Sequence, residues 1–134
     1  MSTAQRVTLI LDSGGISALA GQRARLTELR RRDQWPPQVP TAVLTEALTG
    51  DHRRDFHTNR FLQLCQVRDV TEPLARLAAS LRTRARSAPT ISAVDAIVVA
   101  LATGYREPAI LTSDPRDIVR LVDAQELSIA VIPV

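Results

Sequence analysis

ISAVDAIVVALATGYREPAILTSDPRDIVR, Ile91–Arg120, places one acidic residue before a nearly all-apolar segment and two more after a short apolar run. Asp95 opens DAIVVALATG, which is apolar on every face and predicts a short helix buried inside the domain. A Gly104–Pro108 turn separates it from AILT at 109–112, which predicts a strand. That strand delivers Asp114 and Asp117 at its C-terminal end, where open α/β sheets place their ligands. Carboxylates beside so much apolar surface need partners, and a divalent cation accepts several at once.

Towards the N-terminus, VTLIL at 7–11 is a continuous apolar run suited to a central parallel strand. Asp12 and Ser13 end it, and Gly14-Gly15 predict a tight turn into a helix starting near Ile16. The glycine spacing is not that of a dinucleotide fingerprint, and an acid at the strand end would repel a pyrophosphate. LAGQRARLTELRRR predicts one helix, or two with a break at Gly21, stopped by the prolines of QWPPQV. A short strand at Gln38–Val39 precedes Thr41, read as the N-cap of a helix AVLTEALTG that Gly50 closes. Glu46 falls on the edge of that helix's apolar stripe and is expected to point near the core.

DHRRDFHTNR then predicts a loop leading into a helix that contains Phe61 and Leu62, and LCQVRDV a strand containing Cys65. Thr71-Glu72-Pro73 marks a capped helix start, continued through Leu74, Leu77, Ala78 and Leu81 before the loop SAPT. A last helix over Asp117–Asp123 and a last strand in LSIAVIPV complete the alternation. About five short strands alternating with helices predict an α/β domain, a parallel sheet with helices on both faces.

The length of 134 residues fits one domain over 1–134, able to bury about two thirds of its unfolded surface. No apolar run is long enough to span a membrane, and MSTAQRVTLILDSGG lacks the layout of a signal peptide, so a cytoplasmic location is expected. One cysteine, Cys65, excludes an intrachain disulfide. The net charge is +3, and all 17 basic residues are arginine. Two explanations stay open: phosphate recognition through bidentate guanidinium forks, or a compositional bias of the genome. Arg82, Arg84, Arg86 and Arg116 are the candidates for a phosphate path, since their segments adjoin the acids in sequence. His52 and His57 read as surface residues, and Trp35 and Tyr105 as packing residues.

Asp12, Glu46, Asp95 and Asp114 recur at comparable places, at strand ends, on a helix and at a helix start, and Asp117 lies within a turn of Asp114. Local roles compete: Asp12 or Ser13 as a cap, Ser92 and Asp95 as a capping box, Asp114-Pro115-Arg116-Asp117 as N-cap, N1 and N3. Glu46, a turn inside its helix, is no cap; its local alternative is an ion pair with an arginine. Gathered together, the acids repel one another and either raise some pKa values or recruit a metal. Oxygen donors without a histidine or cysteine cluster favour Mg²⁺ or Mn²⁺ over zinc.

The ordered set LILDSGG, TEALTG, AVDAIVVALA and ILTSDPRDIVRL resembles the PIN-domain nucleases over nearly the whole chain, especially the VapC-like toxin ribonucleases. The resemblance implies a PIN-like three-layer fold with a central parallel sheet flanked by helices. It carries Asp12, Glu46, Asp95 and Asp114 over as the catalytic and metal-binding acids, Asp117 as a further metal residue acting through water, and Ser13 and Ser113 as polar neighbours. DHRRDFHTNRF and the stretch 35–40 look less typical of the family. The implied activity is Mg²⁺- or Mn²⁺-dependent endonucleolytic hydrolysis of RNA, with the cation activating water and stabilising charge at phosphorus. The implied partners are a cognate antitoxin, promoter DNA only indirectly through that antitoxin, and a second copy in a homodimer. A non-catalytic regulatory or RNA-binding module of the same fold is the alternative. An aspartate-nucleophile phosphatase is disfavoured, since the chain has no DxD motif and no lysine.

Overall fold

The strands β1 (Thr8–Leu11), β2 (Gln38–Pro40), β3 (Gln66–Arg68), β4 (Pro108–Thr112) and β5 (Ala130–Pro133) form one parallel sheet in the order β3-β2-β1-β4-β5. The computed structural model describes residues 7–85 and 90–134, so Arg86 and most of the expected loop SAPT lie outside the described residues. The chain starts in the middle of the sheet, builds outward to one edge through β2 and β3, then returns to the other side of β1. Between β1 and β4 the direction of winding reverses, and this reversal opens a crevice at the C-terminal ends of the strands. The register Leu9↔Ala109, Ile10↔Ile110 and Leu11↔Leu111 brings the residues after Leu11 beside Thr112.

β1, β2 and β4 are the runs whose consecutive side chains are almost all buried, as a strand covered on both faces requires. On one side α6 (Ala93–Ala102) crosses β1, β2 and β4, flanked by α5 (Glu72–Arg84) and α7 (Pro115–Ala124), with α7 also against β5. On the other, α1 (Ser13–Leu19) packs on β1 and β4, next to α2 (Arg23–Arg31), α3 (Thr41–Ala47) and α4 (Phe56–Leu62). α6 buries Ala96, Val98, Val99, Ala100 and Ala102, as its all-apolar sequence predicts. Each valine sealed in this way contributes about 1.5–3 kcal/mol.

Several boundaries differ from expectation for identifiable reasons. α1 begins at Ser13, so Gly14 and Gly15 form its first turn and do not precede it. A Cβ on Gly14 would lie 1.9 Å from Ser113 Oγ and 2.8 Å from the Ser113 nitrogen, and one on Gly15 2.5 Å from the Leu111 carbonyl oxygen. The glycines serve close approach of α1 to the end of β4, which a local reading cannot detect. Pro40, not Thr41, occupies the N-cap of α3, because the Thr41 hydroxyl accepts instead from the Val70 amide at 3.1 Å. α3 stops at Ala47, well before Gly50, whose φ of +87° belongs to the following turn. Cys65 precedes β3 and is half-buried beside α4, its Sγ 3.5 Å from the Phe61 carbonyl. Burial pushes its thiol up to about 12. Leu77, expected on the apolar stripe of α5, is exposed.

Candidate functional site

Asp12 follows β1 directly and is 6% exposed. It is the N-cap of α1, its Oδ1 accepting from the Gly15 amide at 2.7 Å. Its Oδ2 accepts a short hydrogen bond from the hydroxyl of Thr112, the fully buried last residue of β4. The capping role is therefore real, yet it uses one oxygen, and the second is engaged from a strand a hundred residues away in sequence. Thr112 was not among the residues the sequence singled out. A buried hydroxyl beside an acid was the available signal, but only cross-strand register shows that it points at Asp12.

Asp95 lies in the first turn of α6, which Ser92 caps by accepting from the Asp95 amide at 3.0 Å. The Ser92 half of the expected capping box is thus formed, but it does not satisfy the carboxylate. Burial pushes the Asp95 carboxyl up to about 6, and the like charges of Asp117, Asp12 and Glu46 add to the rise, against a lowering hydrogen bond with Ser92. These four acids come from α6, α7, the N-cap of α1 and α3, so the fold gathers into one electrostatic neighbourhood residues spread over most of the chain. Glu46 is exposed on α3, contrary to the expectation that it points near the core. Its helix contacts both α1 and α6, which carries it to the group from outside.

Asp114 sits at the N-cap of α7 with Pro115 behind it, but its side chain makes no capping bond. Its amide donates to Thr112 Oγ1 at 3.0 Å, which ties the start of α7 to the end of β4. Its carboxylate is exposed and is not among the charges acting on Asp95. Asp117, one turn further, is more enclosed and stands 3.7 Å from Arg120 in a loose ion pair. Ser13 begins α1, and Ser113 is exposed against Gly14.

The donor chemistry of this group suits a hard cation: carboxylate oxygens, one of them resisting ionisation because it is half-buried and stands among like charges. Among the described residues, no three His, Cys, Asp or Glu side chains stand close enough to hold one ion together. The acids are linked through their field and the Thr112 hydrogen bonds, not as a closed coordination sphere. A cleft of about 470 Å³ opens between the α1–α2 junction and α4, lined by Arg23, Leu26, His57, Arg60, Phe61 and Leu64, and none of the acids lines it.

Of the phosphate-path candidates, Arg82 donates through Nε to the Ile91 carbonyl at 2.7 Å, immediately before the α6 cap, so it holds the entry to that helix. Arg84 reaches Gln125 at 3.4 Å, and Arg116 is exposed in the first turn of α7 beside the acids. His52 and His57 are exposed. Trp35 packs against the core under the guanidinium of Arg30, and Tyr105 donates from its hydroxyl to buried Gln38 at 3.1 Å. No described helix is long and apolar enough to cross a membrane.

No protein-family model matches the sequence, and a search of curated proteins finds no match. Solved structures do match in fold. VapBC2 of Rickettsia felis, bound to a DNA fragment from their promoter, aligns with a TM-score of 0.70 at 12% identity over 93% of this chain and 98% of that one. DNA-bound VapBC of Salmonella typhimurium aligns with 0.70 at 14% identity over 93% and 98%. A toxin–antitoxin complex of Klebsiella pneumoniae aligns with 0.59 at 16% identity over 82% and 89%. The chain has the PIN-domain-like fold found in toxin–antitoxin complexes, with a central parallel sheet flanked by helices.

Proposed function

We propose that the chain is a metal-dependent endoribonuclease, the toxin of a toxin–antitoxin pair, built as a single nuclease domain. The observation that carries this reading is the half-buried Asp95 carboxyl, raised by burial and by Asp117, Asp12 and Glu46 at the mouth of the sheet. Like charges gathered together cost stability, and perturbed acids of this kind concentrate at functional sites. Asp12, Glu46, Asp95 and Asp114 would hold Mg²⁺ or Mn²⁺, with Asp117 contributing through water. When bound, such a cation supplies Lewis-acid polarisation of the phosphate and a lowered pKa for water.

The chain's own residues set the stage for that chemistry. Asp12 is held on both oxygens, by the Gly15 amide and the Thr112 hydroxyl. Asp95 stands at the N-terminus of a buried helix, where backbone amides favour negative charge. Arg116, exposed beside Asp114, would meet an RNA phosphate approaching the acids. The fold-related chains occur in complexes with partner proteins and DNA, which supports a cognate antitoxin for this chain and contact with promoter DNA only through it. A homodimer and a cytoplasmic location complete the proposal.

The test is cleavage of a mixed panel of structured RNAs by partner-free protein with Mg²⁺ or Mn²⁺. Wild type is expected to cut and chelator to stop it. Asp95→Asn, folded as judged by circular dichroism, should lose at least about a hundredfold in rate, the scale at which loss of one charge-stabilising group acts. Undiminished cutting by that variant would remove Asp95 from the mechanism. The spacing of the acids, with no three close enough to share an ion, favours the non-catalytic RNA-binding reading as the second choice. RNA binding without turnover at any metal concentration would select it.

A further inference from the structure

We infer that Thr112 is the positioning residue of the acidic site: its single hydroxyl locks the Asp12 carboxylate and the start of α7 together as one unit. The inference rests on the metal-site reading above and deepens it. Two hydrogen bonds meet at this oxygen, one to Asp12 Oδ2 and one from the Asp114 amide at 3.0 Å. A hydroxyl has one proton to give and lone pairs to accept with. The amide can only donate, so it takes a lone pair, and the proton is committed to Asp12. The polarity of both bonds is therefore fixed, with Asp12 the acceptor at this oxygen.

Thr112 itself cannot move to follow another arrangement. It is fully buried, its carbonyl accepts from the Val134 amide at 3.0 Å, and its neighbour Leu111 pairs with Leu11 in the sheet register. Asp12 is clamped from the opposite side by the Gly15 amide at 2.7 Å, so its carboxylate plane has no free rotation. A threonine placed only to fill the core would need one partner for its hydroxyl. This one has two, and they are the first and fourth acids of the proposed set. Groups that orient metal ligands in this way characteristically affect metal affinity about 10–100-fold when removed.

The experiment measures Mn²⁺ binding by calorimetry with the metal alone, and the Mn²⁺ concentration giving half-maximal RNA cleavage, for wild type, Thr112→Val and Thr112→Ser. A variant that merely lost folded protein would lower the amplitude of either signal and leave the half-saturating concentration unchanged. Thr112→Val is expected to raise that concentration about 10–100-fold and to accelerate hydrogen exchange of the Asp114 amide. Thr112→Ser, which keeps the hydroxyl, should stay within about threefold of wild type on the same scale. If Thr112→Val does not fold, Thr112→Cys, with its weak S–H donor, should fall between wild type and that loss. Wild-type half-saturation in whichever of Thr112→Val and Thr112→Cys folds would overturn the positioning role. Wild-type protein that neither binds Mn²⁺ nor cuts would overturn the metal-site reading, and this inference with it.

Discussion

Asp55 and Asp95 are both enclosed carboxylates near the start of a helix, and the chain treats them in opposite ways. Asp55 is 5% exposed, and burial alone would raise its pKa. Its oxygens instead accept from the Thr49 amide at 2.9 Å, the Thr49 hydroxyl at 2.8 Å and the Gly50 amide at 2.8 Å, and these bonds hold it below the usual carboxylate range. Asp95 has no comparable set of donors and faces three other acids. The charge of Asp55 is consumed in closing the turn from Thr49 to Asp55. At Asp95 a hydrogen bond with Ser92 is outweighed by burial and like charge. Acid content alone does not mark a functional site; the balance between donors and like charges around each acid does.

That contrast is open to test, beginning with the larger effect. Asp55→Ala should lower the thermal midpoint clearly, because it strips three donors of their partner, while cleavage per folded molecule stays at the wild-type level. Asp55 stabilises the protein fully above its ordinary pKa of 3.8, and that contribution is lost as pH falls through its lower folded value. A midpoint for Asp55→Ala equal to wild type at pH 7 would remove the distinction between the two acids.

Asp95→Asn should act with the opposite sign in metal-free buffer. The folded state binds the Asp95 proton more tightly than the unfolded state, so stability falls as pH rises from 3.8 to about 6 and stays lower above that window. Removing the charge lifts this penalty. Because the carboxyl is only half-buried and solvent screens it, the gain at pH 7.5 is about 1 kcal/mol and vanishes below pH 4. Denaturant unfolding at both pH values measures it, and a destabilised Asn variant at pH 7.5 would contradict the crowding of charge at Asp95.

A smaller effect sharpens the same comparison. Glu46→Gln removes the least of the three like charges acting on Asp95, so the Asp95 titration followed by carbon-13 NMR should move a little below about 6, with burial still holding it above 3.8. A titration identical to wild type would mean that Glu46 is too well solvated to be felt.

Much of this arrangement was legible from residue order. The continuous apolar runs of β1 and β4, the all-apolar α6 and the acids at strand ends are local signals, and each appears where its pattern points. What escaped is what depends on a distant neighbour. Gly14 and Gly15 read as a turn because their reason for being glycine is the end of β4. Thr41 reads as a cap because the competing Val70 amide is nearly thirty residues away. Thr112 reads as an ordinary strand residue because its two partners meet only after β1 and β4 pair. Glu46 shows the limit of helical periodicity, which gives a direction around an axis but not the depth at which that axis lies.

The pairing of Leu11 with Leu111 also dictates when the site can exist during synthesis. In a chain emerging from the ribosome, the strand that aligns Asp12 and the helix that bears Asp117 arrive about a hundred residues after it. At elongation rates of about 5–20 residues per second, that is a delay of seconds in which the nascent chain holds only part of its acids. The order of strands therefore acts as a timer, keeping the acidic group unassembled while the first half of the domain is still being made.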